Sequence, residues 1–506
     1  MGATAASSSA TLLAARSSLR LRARTFGIER VGLLAVLVAF FVASLLFALQ
    51  MAPFYGADES AHLGYAHAVA SGRLPEITDV VDPPRDASDW RMRIAGAADR
   101  EHRSVWVANH PPLFYVAVAP LIWISNGLGR ADGGLMFVRI ANIAFATIGL
   151  VFTYALARVL TGGSRKLALT ATALAGFLPL GHATFAAGMN DGLGFAAATA
   201  VTYGAMRLVT NGFRRSDTVM LGATAAVAAG SRAASMFIAV LVVAIAAAAR
   251  AMRPTGTRSA RCRDAAAVVA LGLLPGAVIF GWFYARSVAL YGDLTGSSFL
   301  FAYFDRTPSG SAFDVLTSGT LWWDAVERFA MSTVPGAQSP PAAAVVTSIF
   351  GIAALVGLAL MATSRRPARH SAMAHVIGVG VLAATVAMMI NHVAGGGSAH
   401  ARYLLPALGV IATYFAIGLD RVWSAVLPLA AAATMCLWPA HFLPRRVANE
   451  IDVLPILASP LTAPSAVALG CVGAIASIVA LIALGDGVTR RRRLRQDDGR
   501  RSLLPP

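Results

Sequence analysis

Residues 107–123 read VANHPPLFYVAVAPLIW, and whether this stretch crosses a bilayer fixes the sidedness of everything after it. The Pro111–Pro112 pair ends any helix before it, because a residue ahead of proline is pushed out of the α region. The run that follows is apolar, with Tyr115 and Trp123 suited to a membrane–water interface. Around it lie apolar runs near the length of about twenty residues that crosses a hydrocarbon core. They fall at 31–51, 136–158, 166–184, 191–209, 217–231, 233–250, 264–286, 342–363, 373–393, 402–420, 422–440 and 464–485, the shortest of them the pair hinged at Gly230, Ser231 and Arg232.

Short cytoplasmic turns carry the excess of Lys and Arg. With the arginines at 16–30 inside, the first helix runs outward and the polar segment from Pro53 to Asn109 lies outside. Counting Pro111–Leu128 as a full span then puts Arg158, Arg165 and Lys166 outside, and most later basic turns with them. Laying the segment along the outer surface brings Arg158–Lys166, Arg207–Arg215, Arg250–Arg263, Arg365–Arg369, Arg421 and Arg490–Arg501 inside together. The sequence therefore reads as an all-α polytopic membrane protein with about twelve transmembrane helices. A basic cytoplasmic tail (1–30) precedes the transmembrane domain (31–485), and a second basic cytoplasmic tail (486–506) follows it. The first extracytoplasmic loop, 53–135, carries interfacial helices; a second long one covers 287–341, and a third, 441–463, holds Arg445 and Arg446 against the rule.

Composition agrees: 57% of the 506 residues are hydrophobic and 13% charged, a balance foreign to soluble domains. The net charge of +17 comes from arginine clusters between apolar runs, so it marks topology and not a nucleic-acid surface. Cys262, Cys436 and Cys471 have no metal-ligand spacing and suggest no disulfide framework. The basic start resembles a signal peptide, but the first apolar run is long and lacks a small-x-small cleavage site, so an uncleaved anchor is expected.

Charge concentrates where the first helix leaves the membrane, in APFYGADESAHLGYAHAVASGRLP, residues 52–75. Asp58, His62, Tyr65 and Val69 share one face of a helix starting near Ala57, with Asp58 and Glu59 in its first turn, where the dipole favours anions. Two acids so near a bilayer exit are costly to place, although an acidic helix start at a membrane surface would look the same. His110 sits at the water edge on the same side. The middle of the loop, Asp79–Arg103, mixes charges without apolar periodicity. It reads as a solvated linker, or else as a segment that orders on substrate binding.

Several short motifs fall in order on one face: Asp58–Glu59, SGRLP at 71–75, Asn109-His110-Pro111-Pro112-Leu113, Arg139, Met189-Asn190-Asp191, Tyr291-Gly292-Asp293 after Arg286, and Ala401-Arg402-Tyr403-Leu404-Leu405-Pro406. In this order they are similar to the GT-C superfamily of membrane glycosyltransferases, which includes protein O-mannosyltransferases and aminoarabinose transferases. The last two motifs resemble a bacterial branch of predicted members. The resemblance implies transfer of a sugar from a polyprenyl-phosphate donor to an envelope glycan, lipid or protein acceptor at the outer face of the plasma membrane, with inversion. It makes Asp58 the general base, Glu59 its positioning partner and Asp191 a supporting acid, although no arginine closely precedes Asp191 as in the mannosyltransferase pattern. Arg139, Arg286 and Arg402 are the candidate cations for the phosphate, with His62, His110 and Tyr403 as further substrate contacts. No cofactor is expected. A divalent ion at Glu59 and His62, helped by His110 or His400, stays open, as do two rival readings, a lipid or small-molecule transporter or flippase and a nonenzymatic membrane scaffold.

This topology is checked by thiol labelling in intact cells. With the three native cysteines replaced, Arg85→Cys should react with a membrane-impermeant maleimide, and Arg16→Cys and Arg495→Cys should react only after permeabilisation.

Overall fold

The computed structural model describes residues 29–323 apart from 50, 52, 55, 57, 97–102 and 255, together with 352, 355, 356, 359, 369–423 and 471–482. Among these residues the chain is helical, with a lone antiparallel bridge between Val80 and Ser104. Helix α1 spans Glu29–Leu49. The first loop holds α2 (Glu59–Ala70), α3 (Ser88–Ala95), a 3-10 turn (Trp106–Asn109) and α4 (Leu113–Gly127). The bundle continues through α5 (Leu135–Leu160), α6 (Arg165–Phe177), α7 (Pro179–Ala186), α8 (Asp191–Thr210), α9 (Arg215–Ser231), α10 (Ala233–Ala251) and α11 (Arg258–Tyr291). Short α12 (Ser297–Tyr303) and α13 (Ala312–Thr317) precede α14 (Arg369–Ala394), a 3-10 turn (Ala401–Ala407) and α15 (Leu408–Trp423).

Six stretches among the described residues are long and apolar enough to cross a membrane: α1, α5, α10, α11, Ala372–Ala394 of α14 and Ala401–Arg421. Along α11, Leu271, Leu274, Val278 and Trp282 form an exposed apolar stripe at helical spacing, the surface expected to face lipid. The expected spans 342–363, 422–440 and 464–485 lie wholly or mostly outside the described residues, as do both tails and the third outer loop; of the last span, Cys471–Ile482 is helical.

Within 107–123 the helix that forms is short. Helix α4 has 15 residues, about 22 Å at 1.5 Å per residue, short of the ~30 Å core. Its far end returns to the first loop, where Trp123 Nε1 donates to the Ala70 carbonyl at 2.8 Å. Just beyond it, His67 Nε2 bonds the Gly133 carbonyl at 2.8 Å. The basic turns gather at the other end of the bundle: Glu29 pairs with Arg158 and Arg165, Arg207 with Asp217 at 2.6 Å, Arg250 with Asp264, and Lys166 with Asp420 at 3.4 Å.

Two expectations need correction. The apolar run 166–184 is two helices, because Leu178 takes an extended conformation ahead of Pro179, which opens α7. Over its described residues, the charged middle of the first loop is also no solvated linker. Trp90 is fully buried from α3, stacks on Phe54 with ring centroids 6.0 Å apart, and donates from Nε1 to Ser60 Oγ at 3.0 Å. One aromatic side chain anchors a segment whose other residues are mostly polar.

Helix α8 sits at the centre, packed by α5, α9, α10 and α14. Its small residues let these neighbours approach, as elsewhere in the bundle. A Cβ on Gly222 of α9 would lie 2.3 Å from the Leu271 carbonyl oxygen of α11. Gly222→Ala should therefore lower the melting temperature in detergent, by the ~1–3 kcal/mol typical of overpacking. Gly281→Ala, where a Cβ meets nothing within 4 Å, should leave it unchanged or raised.

Candidate active site

Helix α2 begins with two acids that meet different fates. Glu59 is fully buried against Arg139 of α5, which is 2% exposed. The guanidinium grips it in two places, Nε to Oε1 at 2.7 Å and Nη2 to Oε2 at 2.8 Å. Arg139 Nη1 also donates to the carbonyls of Ala48 (2.9 Å) and Met51 (2.8 Å), while Glu59 accepts from the amides of Gly188 (2.7 Å) and Gly56 (3.3 Å). Removing one partner of such a pair leaves a bare buried charge at about 3–5 kcal/mol. Glu59 and Arg139 thus tie together the end of α1, the start of α2, α5 and the loop before α8. Arg139, expected at the phosphate, has its guanidinium engaged in this tie.

Asp58, one residue earlier and the N-cap of α2, is 4% exposed and is ion-paired with Arg402 in the 3-10 turn ahead of α15. A second pair lies beside it. Asp191 opens α8 and bonds Arg232, which also donates to Asn190 Oδ1 at 3.1 Å. Arg232 occupies the extended break between α9 and α10, so its side chain leaves the helical path and reaches the N-terminal end of α8. Asn142 of α5 sets that end in place. Its Oδ1 accepts from the Gly192 amide at 2.6 Å, and its Nδ2 donates to the carbonyls of Thr184, Phe185 and Ala187.

Three buried polar atoms in this group have no hydrogen-bond partner among the described residues: Arg402 Nε, Asn190 Nδ2 and Asp191 Oδ2. Buried polar groups are normally satisfied, so these three atoms, grouped beside two ion pairs, are the open hydrogen-bonding positions of the cluster. His62 adjoins the cluster. Its Nδ1 bonds Tyr115 Oη at 2.8 Å, and its ring stacks between His110 and Tyr115, each with its centroid 6.0 Å away. Tyr65 stacks on Tyr115 at 3.6 Å and donates to the His110 carbonyl at 3.0 Å.

Charge sets the protonation states. Burial raises the Asp58 carboxyl, but Arg402, His62 and Arg232 outweigh it and hold Asp58 below its ordinary value. Burial pushes His62 down to about 4, against the pull of Asp58 and Asp191, and burial likewise drives His110 well below the usual imidazole range. At neutral pH the site therefore holds an ionised acid beside neutral imidazoles.

Of the residues singled out from sequence, Asp58, His62, His110, Asp191 and Arg402 come together. Tyr403 lies under Arg402, 5.8 Å from its guanidinium, and packs on His392. Arg286 stands apart from the acids: it donates to the carbonyls of Leu74 (3.4 Å) and Pro75 (3.1 Å) and faces Glu76 at 3.8 Å, bracing SGRLP. Among the described residues no three His, Cys, Asp or Glu side chains converge as a metal set, and both Glu59 oxygens are taken by Arg139 and backbone amides. Arg232 and Asn142 were missed. The only sequence signal for Arg232 is an arginine at a break between two apolar runs; Asn142 is a lone amide inside one.

No protein-family model matches the chain, and no curated protein does. Among solved structures it is similar to ArnT from Cupriavidus metallidurans bound to undecaprenyl phosphate, at 14% identity and a TM-score of 0.45, over 90% of this chain and 78% of that one. The apo form of ArnT gives 15% identity and a TM-score of 0.43, over 89% and 77% of the two chains. The archaeal oligosaccharyltransferase AglB from Archaeoglobus fulgidus, in complex with an inhibitory peptide and a dolichol-phosphate, gives 12% and 0.39, over 90% of this chain and 56% of that one. Likenesses of this size add no weight to the reading of the acids and arginines, which stands on their own contacts.

The buried imidazoles make stability depend on pH. Below its ordinary pKa of 6.5 a histidine takes up a proton in the unfolded chain, whereas His62 in the fold does so only near 4. The unfolded state thus binds more protons between these values, and stability falls as pH drops through that window. The melting temperature should decline from pH 6.5 to pH 4, and His62→Gln should decline less steeply over the same range.

Proposed function

We propose that this protein is a membrane glycosyltransferase of the GT-C type. It moves a sugar from a polyprenyl-phosphate donor to an envelope acceptor at the outer face of the plasma membrane. The observation that carries the reading is the paired cluster Asp58–Arg402 and Asp191–Arg232 at one end of the helical bundle, with partnerless buried polar atoms of both kinds. Its placement supports surface chemistry over transport, since transporters set their ionisable groups near the bilayer midplane.

The chemistry follows from the groups. A sugar hydroxyl is a poor nucleophile, and a positioned carboxylate takes its proton as the new bond forms. Asp58, ionised and beside the open polar atoms, has that task. The leaving group is a phosphate ester, and fixed guanidinium groups stabilise the charge that builds on it. Arg402, with Arg232 behind it, fills this role in place of Arg139. Attack and departure on opposite faces of the anomeric carbon invert its configuration. Glu59 serves the base indirectly, by fixing the first turn of α2, and the polyprenyl chain lies in lipid along the apolar helices.

The protein reconstituted with membrane lipid extract should transfer sugar, and Asp58→Asn should lose about 10²–10⁴-fold of the rate. Equal transfer by the variant would remove Asp58 as base. Movement of the donor lipid across the bilayer with no transfer would replace this reading by a flippase.

A further inference from the structure

Arg402 touches the proposed base and has something left over. A guanidinium presents two donor edges. Arg402 gives Nη1 to Asp58 and to Met189 Sδ, while its buried Nε has no acceptor among the described residues. Beside it the orientation of Asn190 is forced. Arg232 can only donate, so the amide oxygen must face it, and the fully buried Asn190 Nδ2 is left as a donor without an acceptor among the described residues. Two such donors next to an arginine already holding a carboxylate describe an anion subsite whose resident anion is the protein's own acid.

The charge changes of the reaction match this arrangement. In the transfer proposed above, the acceptor oxygen bonds the anomeric carbon, and the bond from that carbon to the phosphate oxygen breaks with its electron pair on the oxygen. The acceptor proton goes to Asp58. A donor phosphodiester carries one negative charge, and the released polyprenyl phosphate carries close to two at neutral pH. Asp58 goes from minus one to zero in the same event. The negative charge beside Arg402 is therefore conserved and only changes place.

We propose that Arg402 is shared between the general base and the leaving phosphate, pairing with Asp58 before transfer and with the polyprenyl phosphate after it, with Asn190 Nδ2 as a second phosphate donor. Asp58 and the product phosphate then compete for one guanidinium. The free enzyme keeps its base neutralised, and proton capture by Asp58 releases Arg402 at the moment the leaving group needs it. Asp191 acts as a positioning residue through Arg232, and its partnerless Oδ2 suits a sugar hydroxyl.

The inference rests on the proposed reaction, but its test is an equilibrium measurement on the full-length protein that needs no turnover. Binding of undecaprenyl phosphate is measured in nanodiscs for wild type, Asp58→Asn, Asp58→Glu, Arg402→Gln and the double variant Asp58→Asn/Arg402→Gln. Asp58→Asn mimics the protonated acid and should bind about tenfold more tightly, a difference of ~1.4 kcal/mol. Asp58→Glu keeps the charge and should stay within about twofold of wild type, under 0.5 kcal/mol. Arg402→Gln should bind about tenfold more weakly, and the double variant should match it, because the acid acts only through that arginine. Asp58→Ser removes the same charge by a different side chain and should tighten binding likewise, which serves if the asparagine variant does not fold. Unchanged or weaker binding when Asp58 is neutralised overturns the proposal, as does tightening that persists without Arg402. Tighter binding alongside undiminished transfer by Asp58→Asn would sink the base and leave the phosphate competition standing.

Discussion

The buried pair between Glu59 and Arg139 is the constraint on which the rest depends. Both side chains are almost wholly removed from solvent, and the contacts named above satisfy both carboxylate oxygens and three guanidinium nitrogens. A buried ion pair contributes little net stability over an apolar substitute, so its value here is geometric. It admits only an arrangement in which the end of α1, the start of α2, the first turns of α5 and the Gly188 amide meet at one point. Asp58 is covalently next to that point and inherits its rigidity, which suits the role proposed for it, since small displacements of a reacting group are expensive.

The same pair settles the path of the first loop. Arg139 follows α4 in the chain and Glu59 precedes it, so a direct bond between them requires the chain to return to the side it left. This return is the path that the positive-inside rule also expects, although one counts arginines and the other measures distances. The break at Gly230–Arg232 was also suggested by two short apolar runs meeting at a glycine, a serine and an arginine, and the extended Arg232 sets it in place. The start of α2 at the acid pair follows in the same way from the preference of anions for a helix N-terminus, Asp58 standing at the N-cap without a side-chain capping bond. Each of these features is local, or arises from the length and sign of whole segments.

What was not legible depends on which side chains meet across the bundle. Arg139, Arg286 and Arg402 share a position in sequence terms, each near an outer helix end, yet they have three different tasks. One braces a carboxylate, one holds the SGRLP backbone, and one pairs with Asp58, the proposed base. No periodicity separates them, since the difference arises only when α5, α11 and the turn before α15 are packed. Arg232 and Asn142 were hidden for the same reason. Trp90 misled in the opposite sense: one large side chain among charges leaves no amphipathic pattern, but it buries enough surface to order its helix.

The cluster of two acids and two arginines sums to zero charge, which is how four ionised side chains can sit nearly dry at the end of an apolar bundle. Neutrality has a chemical consequence. The arginines that make the acids tolerable also hold Asp58 below its ordinary value, and a carboxylate so stabilised is a weaker proton acceptor. A site of this kind suits general-base chemistry in which the proton moves as the phosphate departs, when the attacking hydroxyl becomes acidic through bond formation to an electron-poor anomeric carbon. The base then needs little intrinsic strength, and its position matters more. The fold supplies position in abundance: a helix N-terminus for Asp58, a fully paired neighbour at Glu59, and a stacked wall of His62, Tyr115 and Tyr65 that is neutral at physiological pH and leaves the acids and arginines as the local source of field.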